Sequence, residues 1–375
     1  MSLGLLGALI AAGLIGPLLR SSRVFSLPIA VGEIFVGAVL GTSGLGVVPV
    51  DDPSLRTFAT IGFVLLMLTA GSHIDYRSVT KKANVAKSVL ILVLNFLCAV
   101  VLGYGIGHMA HFNNWKLLAI IAFSSSAAFV VPLVAQMDPT ESLVVLLTQV
   151  TIADTVAFLL LPFVTEKTGH LKTALGAGAI LAVAFILYLI LREINSRGWI
   201  GRLHEASKKN HLALELRISL SLVLLLAALA LRVHASTMMA GFSLGIVLAA
   251  IGVPHRLARQ LFAVSEGLFS PLYFIWLGAS IDIRSALHHR DALVLTLLLC
   301  FISVLSHLPA LIFGAPLKNV FLATAQLGIP AAAVTLASAN GMMNPGTAGA
   351  IMLSALGTLV LSSLFLHSPG EVVPE

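Results

Sequence analysis

The chain has 375 residues, 58% of them hydrophobic and 10% charged, with a mean hydropathy of +1.02. So few charges cannot cover a water-exposed body of this size, which excludes a soluble globule and points to a chain embedded in lipid. The formal net charge of +6 reads as a signal of membrane sidedness and implies no nucleic-acid partner.

Apolar segments of roughly twenty residues, enough to cross the hydrocarbon at about 1.5 Å per residue, follow one another almost to Leu366. About thirteen helical spans are predicted, near 3–19, 24–43, 54–72, 84–110, 115–136, 141–165, 172–192, 213–232, 236–252, 258–281, 290–313, 317–340 and 346–367. Span 1 lacks a basic leader and a small-residue cleavage site, so it reads as a retained span. Span 2 carries Glu33 beside Gly32 and the Gly37/Gly41 spacing that lets helices approach closely; the acid is either a structural bridge or a second proton site. Span 3 ends in Gly71-Ser72-His73-Ile74-Asp75-Tyr76-Arg77-Ser78, where Asp75 is expected to cap or to pair locally with Arg77.

Span 5 contains Ser124-Ser125-Ser126 followed by Pro132. Proline removes a backbone bond, so a helix at membrane depth breaks there only where protein or water satisfies the freed groups. Span 6 reads Thr151-Ile152-Ala153-Asp154 and puts a carboxylate near mid-membrane, at a cost of roughly 2.5–3.5 kcal/mol on insertion scales. Such a group can trade a proton for a cation. Thr151 shares its face one turn earlier, and Ser125 and Ser126 add the oxygens that a hard monovalent cation needs. The structural alternative is an Asp154 that only bridges helices.

Span 7 and the polar stretch to Leu212 form a connector. In span 9, Gly241-Phe242-Ser243-Leu244-Gly245 matches a hydrolase nucleophile pattern, but that chemistry needs a strand-to-helix elbow and the stretch lies in a predicted helix. Span 10 holds Glu266 at its start, as an entrance carboxylate or a wetted helix end, and closes in Gly278-Ala279-Ser280-Ile281-Asp282-Ile283-Arg284-Ser285, where Asp282 again reads as a local cap or partner of Arg284. His307 of span 11 has no partner at metal spacing and reads as a packed core residue. Span 12 is interrupted at Gln326-Leu327-Gly328-Ile329-Pro330, which makes Gln326 a pathway candidate. Cys98 and Cys300 fall inside spans as inert thiols; no metal beyond a transported monovalent cation, no cofactor and no catalytic residue is implied.

The span-3 ending echoes the span-10 ending, and Gly37-Ala38-Val39-Leu40 echoes Gly245-Ile246-Val247-Leu248 at nearly the same offset. Repeats separated by an odd number of spans lie upside down to one another, the plan of secondary transporters with a central site and alternating access. The expected organisation is a first repeat at 1–171 (spans 1–6), a connector helix and cytoplasmic loop at 172–212, a second repeat at 213–367 (spans 8–13), and a short cytoplasmic tail at 368–375. Spans 5 and 12 then pair as broken crossing helices, marked by Pro132 and Pro330. Connections after the odd spans carry fifteen of the 22 Lys and Arg, which places the amino terminus outside and the carboxyl terminus in the cytoplasm.

Leu27-Pro28-Ile29-Ala30-Val31-Gly32-Glu33 through Gly41, Ile61-Gly62-Phe63-Val64-Leu65-Leu66-Met67-Leu68-Thr69-Ala70-Gly71, Asp154, and Pro271-Leu272-Tyr273-Phe274 through Gly278 and Asp282 together resemble the monovalent cation:proton antiporters of the sodium/hydrogen exchanger superfamily. The resemblance runs over nearly the whole chain. It implies an all-α antiporter fold with a dimerisation half and a core half, hence a homodimer, in a bacterial-type plasma (inner) membrane, with Asp154 as the cation and proton carboxylate. Electrogenic members usually carry two adjacent aspartates and a span-10 lysine, whereas this chain has Ala153 and, in the lysine's place, Ser280; one proton per Na+ or K+ is the expectation. Relatives that export potassium often bear a soluble nucleotide-binding domain, for which this sequence has no room; a separate regulatory chain is unknown. The rivals are a sodium-coupled symporter of a small organic solute on the same plan, and an intramembrane aspartyl protease, which needs two central aspartates where only Asp154 is central.

Overall fold

The computed structural model describes residues 1–21, 29–72, 82–109, 112, 114–134, 140–165, 170–210, 212–233, 235–252, 255–280 and 290–366. Regular structure among the described residues is helical throughout: α1 (Leu3–Gly13), α2 (Ile15–Ser21), α3 (Ile29–Leu40), α4 (Pro53–Ser72), α5 (Lys82–Met109), α6 (Trp115–Phe123), α7 (Ala127–Val134), α8 (Glu141–Thr165), α9 (His170–Ser196), α10 (Trp199–Lys209), α11 (Leu214–Arg232), α12 (Thr237–Ile251), α13 (His255–Val264), α14 (Ser270–Ser280), α15 (Arg290–His307), α16 (Leu317–Ala323), α17 (Gly328–Ala339) and α18 (Pro345–Leu366). A π-helical turn, Ser265–Phe269, joins α13 to α14, and a 3-10 turn, Leu308–Phe313, follows α15. Nine helices among the described residues are long and apolar enough to cross a membrane, and three shorter apolar ones accompany them. The divided segment α6–α7 accounts for the remaining predicted span. Asp75, Arg77, Asp282, Arg284 and the tail lie outside the described residues.

The helices form two compact units. The first comprises Met1–Ala12, Pro49–Tyr76 and Thr168–Trp276. Its tightest junction is α4 against α12, and the reason is glycine. Gly241 lies on the Val64 carbonyl, Gly245 on the Leu68 carbonyl, and Gly71 on the Phe242 carbonyl, each at a spacing that leaves no room for a Cβ. Backbones meet this closely only where side chains are absent. The Gly241–Gly245 stretch is thus a helix contact inside α12, with no strand-to-helix elbow. Stacked rings, Phe63 on Tyr273 at 5.1 Å and Phe58 on Phe269 at 6.2 Å, hold α4 along the π turn and α14. The polar stretch predicted as a connection is largely helical. Gly198 turns the chain at φ +71°, a conformation costly for residues with a Cβ, and α10 follows, tied to α11 by His204 Nδ1 on Glu215 Oε1 and by Leu214 N–H donating to Ser207 Oγ.

The second unit comprises Gly13–Val48, Arg77–Lys167 and Leu277–Glu375. Here Gly278 rests on the Ile34 carbonyl and Gly41 on the Ala279 backbone, while Thr42 donates twice to the Ala279 carbonyl, at 3.2 and 3.1 Å. Val130, Val134, Leu143, Leu146, Val150, Leu322 and Leu359 form one buried cluster, drawing α7, α8, α16 and α18 together. Phe96 meets Phe123 edge-on at 5.2 Å and fixes α6 on α5. Large apolar side chains remain exposed along α5, α9 and α15, among them Val101, Phe185, Leu297 and Phe301; such stripes suit contact with lipid.

Replacing Gly245 by leucine drives a side chain into the α4 backbone and is expected to destabilise by about 1–3 kcal/mol or more. Gly178→Ala, at a site with nothing within 4 Å, should leave stability unchanged or raise it by up to about 1 kcal/mol. Thermal unfolding of both variants in detergent checks the contrast.

Candidate functional site

The second unit contains two interrupted helices, and their interruptions touch. α6 stops at Ser124, whose backbone turns extended at φ −68°, ψ 153°; Ser125 and Ser126 continue without helix and α7 begins at Ala127. α16 stops at Ala323, and α17 starts at Gly328 after Thr324–Leu327. The two non-helical stretches are joined by Ser126 N–H donating to the Ala325 carbonyl at 2.7 Å. Within the same unit, Ser125 Oγ donates to the Ala323 carbonyl at 2.6 Å.

An interrupted helix leaves up to four carbonyls and four N–H groups without helical partners, and lipid offers none. Hydroxyls fill much of the deficit. The Ser124 hydroxyl donates to Ile121 O at 2.8 Å and the Ser306 hydroxyl to Ala122 O at 2.7 Å. On the other chain segment, Thr324 and Ser362 both donate to Phe321 O at 2.7 Å. At the start of α7, the Ser126 carbonyl accepts from Phe129 N–H and Val130 N–H, while Ala127 N–H donates to Asp154 Oδ2 at 3.1 Å.

Asp154 reaches this point because α8 buries Leu146, Val150, Ala153, Asp154, Ala157 and Leu161 at helical spacing. Phe158, one turn further on, sets its ring against Gly328 at the start of α17. The carboxylate is 7% exposed. Its Oδ2 sits at the positive end of a short helix, and its Oδ1 is buried without a hydrogen-bond partner among the described residues. No ion pair among the described residues involves it. The carboxylate is thus half satisfied, with one oxygen on a backbone N–H and the other without a partner among the described residues.

Of the other predicted residues, Ser125 and Ser126 are buried at 3% and 4% exposure and share the crossing with Asp154. Gln326 lies buried in the second interruption, its Nε2 without a partner among the described residues. Thr151 is half-buried on α8, its carbonyl accepting from the Thr155 hydroxyl. Glu33 is buried on α3, close to Gly16. Ser280 is exposed at the end of α14. Glu266 belongs to the first unit, where it accepts from the Ser270 hydroxyl at 3.4 Å. The prolines do not make the interruptions. Pro330 occupies the first turn of α17, where a missing N–H costs little, and Pro132 lies inside α7, six residues beyond Ser126. The non-helical stretches are instead Ser124–Ser126 and Thr324–Leu327, where hydroxyls replace the helical bonds.

His307, expected as a satisfied packing residue, is buried against the first interruption. It ends α15 at 2% exposure, with Nδ1 2.8 Å from the Ser303 carbonyl and Nε2 3.3 Å from Ser125 Oγ. The available signal was Ser303-x-x-Ser306-His307, three polar residues gathered at the end of an apolar span. Gln149, buried on α8 with an unpartnered Nε2 among the described residues, carried no such signal.

A family model described as "Sodium/hydrogen exchanger, transmembrane" matches residues 9–370. Among curated relatives, YjbQ of Bacillus subtilis (strain 168), whose name makes it a candidate Na+/H+ antiporter, is 26% identical over 93% of this chain and 59% of its own length. The Na+/H+ antiporter NhaS5 of Synechocystis sp. is 24% identical over 92% of this chain and 51% of its own. An Na+/H+ antiporter of Enterococcus hirae is 24% identical over 84% and 82%. The chain thus spans between half and three-fifths of the length of the first two. The solved structure of the sodium proton antiporter MjNhaP1 from Methanocaldococcus jannaschii superposes with a TM-score of 0.63 at 16% identity, covering 96% of this chain and 94% of that one, which establishes a shared fold.

Ser125 and Gln326, at 3% and 1% exposure, are closed to solvent in this conformation. Cysteines placed there are expected to react with water-soluble thiol reagents at rates that change with an imposed ion gradient. Quantitative labelling of folded single-cysteine variants in vesicles reads this, and a gradient-independent rate would show that the crossing does not open to water.

Proposed function

Because the chain belongs to the sodium/hydrogen exchanger family, we propose that it is a secondary antiporter exchanging Na+ or K+ for H+ across the lipid bilayer, with Asp154 as the group both ions share. The observation that carries this reading is the buried carboxylate with one oxygen on Ala127 N–H and the other unpartnered. Oxygens of Ser125, Ser126 and Thr151 complete a cation shell, and Gln326, Glu33, Glu266 and Ser280 are the candidate pathway residues. The names of the relatives support sodium as one substrate; potassium rests on the missing second acid. The cycle alternates access between two inverted repeats, in a homodimer of the inner membrane with the amino terminus outside and the carboxyl terminus in the cytoplasm.

Asp154→Asn can neither hold a proton nor neutralise a cation, so cation-driven proton flux in vesicles should fall to the level of protein-free vesicles while folding is retained. Near wild-type flux in the folded variant removes Asp154 from the mechanism.

Competition at one carboxylate also fixes the pH dependence. Where the free site is mostly protonated, each unit of falling pH should raise the half-saturating cation concentration about tenfold, the equivalent of about 1.4 kcal/mol. A half-saturation that does not move with pH would show that proton and cation use separate groups.

With Ala153 and Ser280 in place of a second acid and a lysine, exchange is one for one and moves no net charge. An imposed potential should therefore leave the flux unchanged, although one elementary charge crossing 100 mV carries about 2.3 kcal/mol. A steep dependence on potential, with the pH gradient clamped, would make Glu33 the next carboxyl to neutralise.

A further inference from the structure

His307 and Ser125 face a hydrogen-bond count that does not close in one arrangement. The Ser303 carbonyl can only accept, and it lies 2.8 Å from His307 Nδ1. The proton of a neutral imidazole is therefore on Nδ1 and the Nε2 lone pair is left to accept. Ser306 Oγ, also near Nδ1 at 3.2 Å, has its own proton directed to Ala122 O at 2.7 Å, so it does not alter this assignment. Nε2 points at Ser125 Oγ, 3.3 Å away, and that hydroxyl stands 2.6 Å from the Ala323 carbonyl. One hydroxyl proton thus has two acceptors in reach, a carbonyl on one side and a ring nitrogen on the other.

We propose that His307 is a positioning residue for cation binding, holding the second resting place of the Ser125 hydroxyl proton. Resting on the cation-exchange reading above, it works as follows. In the cation-free arrangement the Ser125 hydroxyl directs its proton at Ala323 O, so the hydroxyl and the carbonyl cover one another. Ala323 ends α16, and its carbonyl belongs to the negative end of that helix. A monovalent cation gains two hard oxygens there, but only if the proton between them leaves. Rotation of the Ser125 hydroxyl toward His307 Nε2 uncovers both oxygens without ionising any group. No bond is broken, since the proton stays on Ser125 Oγ throughout. With an apolar side chain at 307 the proton has no second acceptor, and the rotation leaves a buried donor unmet.

The test uses the whole protein in vesicles, with Na+ and K+ as probes. His307→Leu is expected to raise the half-saturating cation concentration about tenfold, the fold-change that matches a hydrogen bond of about 1.4 kcal/mol, with maximal flux within about twofold. His307→Gln supplies an amide oxygen at a similar reach and should recover most of the affinity. In a Ser125→Ala background, His307→Leu should add nothing further. An equal shift with and without Ser125, or a Gln variant as impaired as the Leu variant, overturns the proposal. A measurement on the unaltered site covers a Leu variant that does not fold. In protein labelled with 15N-histidine, with the 307 resonance assigned by its loss in His307→Gln, adding Na+ or K+ should shift the Nε2 signal toward that of a hydrogen-bonded nitrogen. The shift should vanish in Ser125→Ala. An Nε2 signal unmoved by saturating cation likewise overturns it. Failure of the Asp154 reading looks different, because exchange then survives in Asp154→Asn; failure here leaves Asp154→Asn inactive and removes only the coupling between His307 and Ser125.

Discussion

The site rests on one requirement: a helix interrupted inside lipid must find partners for the backbone groups it releases. Each such group left bare costs of order 1–3 kcal/mol, and two interruptions release several at once. The chain meets this by bringing the interruptions together, so that Ser126 N–H and Ala325 O satisfy one another, and by spending serine and threonine hydroxyls on the helix ends. The side chains of Ser124, Ser125, Ser306, Thr324 and Ser362 all donate to carbonyls at these ends. Polar residues that look dispersed along four spans are therefore one hydrogen-bonded system.

That system also explains why a lone carboxylate is tolerable at Asp154. A charge at this depth needs compensation, and no basic side chain supplies it by an ion pair among the described residues. The N-terminus of α7 supplies part of it, through one N–H donated to Oδ2 and the partial positive charge of the helix end. The compensation is incomplete, since Oδ1 has no partner there. A fully paired aspartate would be a stable strut. Under the exchange reading proposed above, a half-paired one keeps an oxygen free for a positive species.

Much of this was legible in the sequence, and the remainder was hidden for physical reasons. Hydropathy located the spans, and the midplane position singled out Asp154 because carboxylates there are rare. Prolines drew attention to the right two segments but misplaced the interruptions, because a proline is accommodated in a helix's first turn and the backbone parts instead where hydroxyls can replace its bonds. His307 is buried and partnered as a packed residue should be, but its partner across the fold was not legible. Sequence spacing tests a histidine against residues on its own helix, whereas its decisive partner, Ser125, is 182 positions away. The polar stretch after span 7 reads as a loop because of its charges, yet it is the helix α10, with Ser207 buried between Ala206 and Lys208.

The glycine echo acquires a meaning that sequence comparison alone could not give it. In the first unit Gly71 sits on the carbonyl of Phe242, three residues before Gly245. In the second, Gly278 sits on the carbonyl of Ile34, three residues before Gly37. Under the offset that aligns the echoes, these are the same contact made twice, and each joins a span from one half of the sequence to a span from the other. Glycine is required at both places by the same missing Cβ, so the echo records a packing geometry used twice. Among the described residues these close glycine contacts join the two halves of the sequence, and each compact unit draws on residues from both.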